Sequence, residues 1–260
     1  MNFDLNGKRA FVCGGSQGIG RAIAIELAGM GAEIILLARN EEDLKKLTAS
    51  LSGNKKHGYI VCDFDKPEDL KKKAENFVIQ NGPVHILVNN SGGPPSGPII
   101  NAKTEEFEIA FKRHLICNQI LAQVLIDGMK NSGYGRIVNV ISTSVKQPLK
   151  NLGVSNTIRA AVANWSKTWS NEVAPFGITV NNVLPGATKT ARLQSIIEQK
   201  AMKLGVSIDK AEAEMIEEIP MKRFASAEEI ANAVAFLVSP AAAYITGINI
   251  PVDGGRTSSL

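Results

Sequence analysis

Short apolar runs alternate with longer stretches of helical periodicity from one end of the chain to the other. RAFVCG, EIILLAR, GYIVCD, HILVNN, GRIVNVIS, GITVNNVLPG and INIPVDGG are rich in Val and Ile and have few polar interruptions. Such runs suit strands buried on both faces, because a sheet with one wet face would alternate apolar and polar residues. Between them lie the helical patterns IGRAIAIELAGMG, NEEDLKKLTASL and KPEDLKKKAENFVIQ. A long helix is predicted from about Thr104 to Met129, and another within NLGVSNTIRAAVANWSKTWSNE, Asn151 to Glu172. Strand, helix and strand in repetition build a parallel sheet through right-handed crossovers. The predicted fold is α/β: one doubly wound parallel β-sheet with helices on both faces. No linker or low-complexity segment divides it, so residues 1–260 read as a single domain.

Composition narrows the function classes. The 260 residues are 44% hydrophobic and carry 29 basic and 25 acidic side chains, a net charge of +4, as a soluble globular protein does. No run of five like charges occurs, so no basic tract marks a nucleic-acid partner. No apolar run approaches the roughly 18 residues that a membrane span needs, and the start lacks the pattern of a secretory signal. Cys13, Cys62 and Cys117 form no CxxC pair, and His57, His85 and His114 have no ligand spacing with them. No metal site is expected, and free thiols suit a reducing cytoplasm.

Candidate chemistry begins at CGGSQGIG, Cys13 to Gly20, between the first strand and the first helix. Gly14, Gly18 and Gly20 allow the tight turn and the close backbone approach that a pyrophosphate needs, with the helix N-terminus facing its charge. The second strand ends in LLARN, where an acid would serve the adenosine ribose of NAD. Ala38 and Arg39 stand there instead, and a guanidinium suits a 2′-phosphate, so NADP (NADPH) is expected over NAD.

With NNSG at Asn89 to Gly92, GRIVNVIS leading to Ser142, VNNVLPG ending at Pro185 and Gly186, and RFASAEEIANAVAFLVSPAAAYITGINIPVDGG near the C-terminus, the chain resembles the short-chain dehydrogenase/reductase family, in particular its 3-oxoacyl-acyl-carrier-protein reductases. The resemblance runs from about Leu5 to Gly255. It implies a Rossmann-type sheet of about seven strands and a nicotinamide cofactor across their carboxyl ends. It adds Ser16, Ile19 and Gly92 to the cofactor contacts. It also puts Asp63 near the adenine, Asn90 near its ribose, and Thr188, with Thr190 a further candidate, near the carboxamide. Members use an Asn, a Ser, a Tyr and a Lys, the last two spaced YxxxK. Here the serine is Ser142, but the other three positions hold His114, Ser155 and Arg159, so YxxxK is absent.

The altered set changes the proton chemistry. A phenol near an ammonium is a useful acid near neutrality; an alkyl hydroxyl is not, though Ser142 and Ser155 can both donate hydrogen bonds to a forming oxyanion. Arg159 can hold the nicotinamide ribose and add positive potential. His114 titrates near neutrality when unperturbed, so its imidazolium is the candidate acid; a buried space-filling histidine is the rival reading, and Asn118, one turn on, is a second candidate for the water-holding role of the family's asparagine. Trp165 and Trp169, one turn apart, suit either core or interface. Residues 191–220 contain two helical patterns, with Leu193, Ile196, Ile197 and Met202 on the first and Met215, Ile216 and Ile219 on the second. They are expected to form a lid over a bulky or apolar carbonyl or alcohol substrate, or an ordinary packed hairpin. The function expected is NADP-dependent carbonyl reduction or alcohol oxidation by a homodimer or homotetramer. The alternative is a catalytically silent NADP-binding sensor or partner protein that keeps the fold.

Overall fold

The computed structural model describes residues 1–53 and 55–259. All seven predicted apolar runs form strands: β1 (Arg9–Cys13), β2 (Glu33–Ala38), β3 (Gly58–Val61), β4 (Ile86–Asn89), β5 (Gly135–Val140), β6 (Ile178–Pro185) and β7 (Asn249–Val252). They make one parallel sheet in the order β3-β2-β1-β4-β5-β6-β7. The order reverses between β1 and β4, and a crevice opens beyond the strand ends at such a switch point.

Nine α-helices cover the two faces among the described residues: α1 (Gly18–Gly29), α2 (Glu41–Ser50), α3 (Pro67–Asn81), α4 (Thr104–Phe111), α5 (Cys117–Asn131), α6 (Gly153–Val173), α7 (Ala191–Leu204), α8 (Ile208–Glu217) and α9 (Ala227–Val238). Alternation within each strand divides the core. Val12, Ile34 and Leu36 pack with α1 and α9 on one face, while Phe11, Ile35 and Leu37 pack with α3 and α5 on the other. Each such fully buried side chain contributes about 1.5–3 kcal/mol relative to exposure. Local signals fix the helix starts. Asn40 accepts from the backbone N–H of Glu42 and Asp43 before α2, and Ser226 and Glu229 form a capping box before α9.

The predicted helix from Thr104 to Met129 is interrupted. α4 and α5 are joined by a π-helical turn, Lys112–Ile116, which carries His114 and reorients the residues around it. The sheet also holds a feature the sequence reading missed. Asn89, Asn139, Asn182 and Asn249 occupy the same register on β4 to β7, and each amide donates to the next at 2.8 Å. This ladder, buried at Asn89, Asn139 and Asn182, ties four strands together across the sheet.

The region of residues 191–220 forms α7, α8 and the turn after them. Leu193, Ile197, Ala201, Ala211, Ile219 and Phe224 make a small core of their own, with Met215 and Ile216 against it. Met202, expected on the apolar face, is instead 80% exposed, because the α7 stripe that packs runs through Leu193, Ile197 and Ala201.

Candidate active site

One cavity of about 1550 Å³ runs across the carboxyl ends of the central strands and under α7. Drug-sized ligands occupy roughly 300–1,000 Å³, so this space suits a dinucleotide together with a second molecule. Of the residues singled out from the sequence, Gly14, Ser16, Gly18, Ile19, Arg39, Asp63, Asn90, Gly92, Ser142, Ser155, Arg159, Pro185, Gly186, Thr188 and Thr190 line it. Gly20, His114 and Asn118 do not.

The glycine turn is shaped by close approach. Gly14 has φ +58°, and a Cβ there would lie 2.5 Å from the Asn90 carbonyl oxygen; a Cβ on Gly20 would lie 2.1 Å from the Gly14 carbonyl oxygen. Gly20 therefore works behind the turn, and only glycine fits. The Asn90 side-chain amide donates to the carbonyls of Cys13 (3.2 Å) and Gly14 (3.4 Å), bracing the turn from β4. Gln17 caps α1 without a side-chain bond and the first turn has no acid, so the helix N-terminus offers free N–H groups to an anion. Arg39 is exposed on the cavity wall beyond β2. A cradle of backbone donors with a guanidinium at its adenosine side fits a phosphorylated dinucleotide.

At the other end, Ser142 follows β5 and caps a short turn, its Oγ accepting from the Ser144 N–H at 3.1 Å. Its own hydroxyl hydrogen remains free to point into the cavity. Ser155 and Arg159 face the cavity from α6, one turn apart as their spacing requires, and each is only 7% exposed. The Arg159 guanidinium reaches the Val140 carbonyl at 3.4 Å, and its Nε has no partner. Burial, with the neighbouring Arg192 charge, lowers its pKa from 12.5 to about 10, so it remains a cation near neutrality.

His114 corrects an expectation. Its ring is 2% exposed on the π turn and hydrogen-bonds through Nδ1 to the Ser91 hydroxyl at 2.7 Å, while Nε2 has no partner. Desolvation first, then the charges of Arg159, Arg113 and Arg192, push its pKa down to about 2. Desolvation, reinforced by these positive charges, disfavours an imidazolium near neutrality, and the ring does not line the cavity, so His114 is not the proton donor. Asn118 is buried on α5 outside the cavity and offers no replacement. Trp165 and Trp169 pack against the core and both donate their indole N–H to the Gln119 side chain (2.7 and 2.9 Å), stitching α6 to α5.

Among the lining residues that sequence reasoning missed, four bear on the charge and hydrogen bonding of the site. Ser91 lay inside the quoted NNSG motif, and only its contact with His114 singles it out. Asp65 and Arg113 form a two-pronged ion pair at the adenosine end. Arg192, on α7, donates to the carbonyls of Gly93 and Pro94 and so joins α7 to the loop after β4.

The comparisons with known proteins agree with this geometry. The family described as enoyl-(acyl carrier protein) reductase matches residues 14–257. The chain is 32% identical to the NADPH-dependent reductase BacG of Bacillus subtilis over 97% of its length and 99% of that protein. It is 35% identical to the 3-oxoacyl-[acyl-carrier-protein] reductase FabG of Escherichia coli over 98% of each. The L-sorbose reductase of Gluconobacter frateurii, solved in complex with NADPH and L-sorbose, superposes over the whole of both chains with a TM-score of 0.93 at 32% identity. On the matched motifs, the fold and these relatives, the chain belongs to the short-chain dehydrogenase/reductase family.

Proposed function

We propose that this chain is an NADPH-dependent oxidoreductase that reduces a small carbonyl compound, or oxidises the matching alcohol, using two serine hydroxyls and a buried guanidinium. The observation that carries this reading is that Ser142, Ser155 and Arg159 face the same cavity as the glycine turn and Arg39. Bound NADPH supplies the two electrons and one hydrogen of the reduction. Around it, the N-terminal N–H groups of α1 with Gly14, Ser16, Gly18 and Ile19 hold the pyrophosphate, supported from behind by Gly20. Arg39 takes the 2′-phosphate. Asp63, Asn90 and Gly92 border the adenosine and ribose, and Pro185, Gly186 and Thr188 hold the carboxamide end.

The Ser142 and Ser155 hydroxyls donate hydrogen bonds to the carbonyl oxygen, and they strengthen as charge develops there; one such donor is worth about 2.7–4 kcal/mol in a favourable site. Arg159 hydrogen-bonds the nicotinamide ribose and adds its positive potential to the forming alkoxide. None of the hydroxyls, the guanidinium or neutral His114 is an acid suited to neutrality, so the alkoxide takes its proton from water entering at the lid. Apolar Ile141, Leu149, Leu152, Leu193, Ile196 and Met215 on the wall suit a substrate with an apolar body. The protein works as a homodimer or homotetramer; the exposed apolar side chains of Ile109 and Phe111 on α4 support this, and light scattering that finds a monomer counts against it.

Substitution tests the assignment. Ser142→Ala and Ser155→Ala should each lower kcat by roughly 10²–10³-fold, as loss of an oxyanion donor does, with NADPH affinity kept. Unchanged turnover in both removes the serines from the chemistry. Tight NADPH binding without turnover of any carbonyl would favour the silent sensor.

A further inference from the structure

The charges around the substrate end do not balance. Three acids line the cavity: Asp63, Asp65 and Glu218. Asp65 is taken by Arg113 and Glu218 by Arg256, while Asp63 stands at the adenosine end. Among the described residues neither Arg159 nor Arg192 pairs with a carboxylate. Arg159 is 7% exposed, and among the described residues its Nε has no partner and the Val140 carbonyl is its only acceptor. Burying a cation without a counter-charge is costly, and each of the two guanidiniums raises the cost of the other. The charge is compensated only when a ligand brings an anion.

The cofactor phosphates are poorly placed for that task. They belong to the α1 N-terminus and Arg39, beyond β1 and β2. Arg159 stands over the last carbonyl of β5, two strand spacings from β1, or about 10 Å. A ribose hydroxyl accepts a hydrogen bond from Arg159 yet leaves its charge uncompensated, and the guanidinium has further donors to offer. Arg192 reaches the same cavity from the lid, where it is already fixed on Gly93 and Pro94. Fixed forks of this kind match a carboxylate in two-pronged fashion.

We infer that the substrate is an oxo acid, its carboxylate held by Arg159 and covered by Arg192, with its carbonyl oxygen at Ser142 and Ser155 and its apolar remainder against Leu149, Leu152 and Ile196. That the anion is a substrate rests on the reductase reading; that the cavity selects a carboxylate does not. The arrangement gives Arg192 a second duty, because closing α7 over the anion completes the site.

Calorimetric titration of the NADPH-loaded protein with redox-inert pairs tests this directly: acetate against acetamide, benzoate against benzamide, and 4-phenylbutanoate against 4-phenylbutanamide. At least one acid should bind tenfold or more tightly than its amide, and Arg192→Gln should cut that preference to threefold or less. Arg159→Gln should do the same, and the Arg192 variant, on an exposed lid position, keeps the test valid if the buried substitution does not fold. No acid preference in any pair, or a preference that survives the substitutions, overturns the inference. Turnover of neutral ketones with no such preference would overturn it while leaving the reductase reading intact. A carboxylate preference in a protein that turns over no oxo acid keeps the anion site and removes the reductase reading.

Discussion

At His114 a single side chain shows what depth does to chemistry. Its place at the family's asparagine position and its ordinary titration near neutrality made an imidazolium acid reasonable, yet the π turn buries the ring against Ser91, where desolvation and nearby positive charge disfavour the proton. Two outcomes follow. The pH profile of kcat/KM should show no inflection near the ordinary imidazole value of 6.5; activity should fall only as the pH rises towards about 10, where Arg159 loses its charge. An inflection near 6.5 that vanishes in His114→Asn would restore the histidine to the mechanism. For stability the sign runs the other way from a salt-bridged histidine. The folded pKa is depressed, so His114 destabilises nothing above 6.5, and stability is lost as the pH falls below that value and only the unfolded chain binds the proton. Thermal unfolding between about pH 7 and pH 5 should therefore shift less in His114→Asn than in the natural chain. Arg39 gives the cofactor prediction: Arg39→Ala should weaken NADPH by roughly 10–100-fold, the loss of a charge-assisted contact of about 1.5–3 kcal/mol, and leave NADH nearly unchanged. Equal losses for both nucleotides would defeat the assignment. Arg39 was legible from the end of the second strand, and Ser142, Ser155 and Arg159 from the motif positions of the family the sequence resembles; all four line the cavity. The depth of His114, the partner it finds in Ser91 and the reach of Arg192 were not, since each depends on contacts between distant segments.

Elements carry a different set of constraints. The seven strands were readable from uninterrupted Val and Ile runs, since a parallel sheet covered on both faces has no polar alternation to confuse the pattern. The amide ladder from Asn89 to Asn249 was invisible for the same reason: four asparagines in separate runs share a register only once the strands pair. Asn139 sits between two partners, so Asn139→Leu should leave one buried donor and one buried acceptor unsatisfied. Denaturant unfolding should report a loss of about 2–6 kcal/mol, at 1–3 per group. A change under 0.5 kcal/mol would mean that the ladder is dispensable. The pair α7 and α8 packs as a hairpin with its own small core and contributes Leu193, Ile196 and Met215 to the cavity wall. No helix among the described residues is long and apolar enough to cross a membrane.

For the molecule as a whole, one cavity joins the cofactor cradle to the hydroxyls and guanidinium at the substrate end. NADPH at a hundred times its Kd should stabilise the folded chain by about 2.7 kcal/mol, raising Tm by roughly 5–10 °C at 2–4 °C per kcal/mol. The most direct measurement is NADPH oxidation by the purified protein, with nucleotide binding confirmed, against ketones, aldehydes, oxo acids and β-ketoacyl thioesters. Turnover of a carbonyl, abolished or strongly reduced in Ser155→Ala while NADPH still binds, is the expected result. Tight NADPH binding with no consumption across every class would contradict a serine and guanidinium reductase site and leave a protein that holds the cofactor without using it.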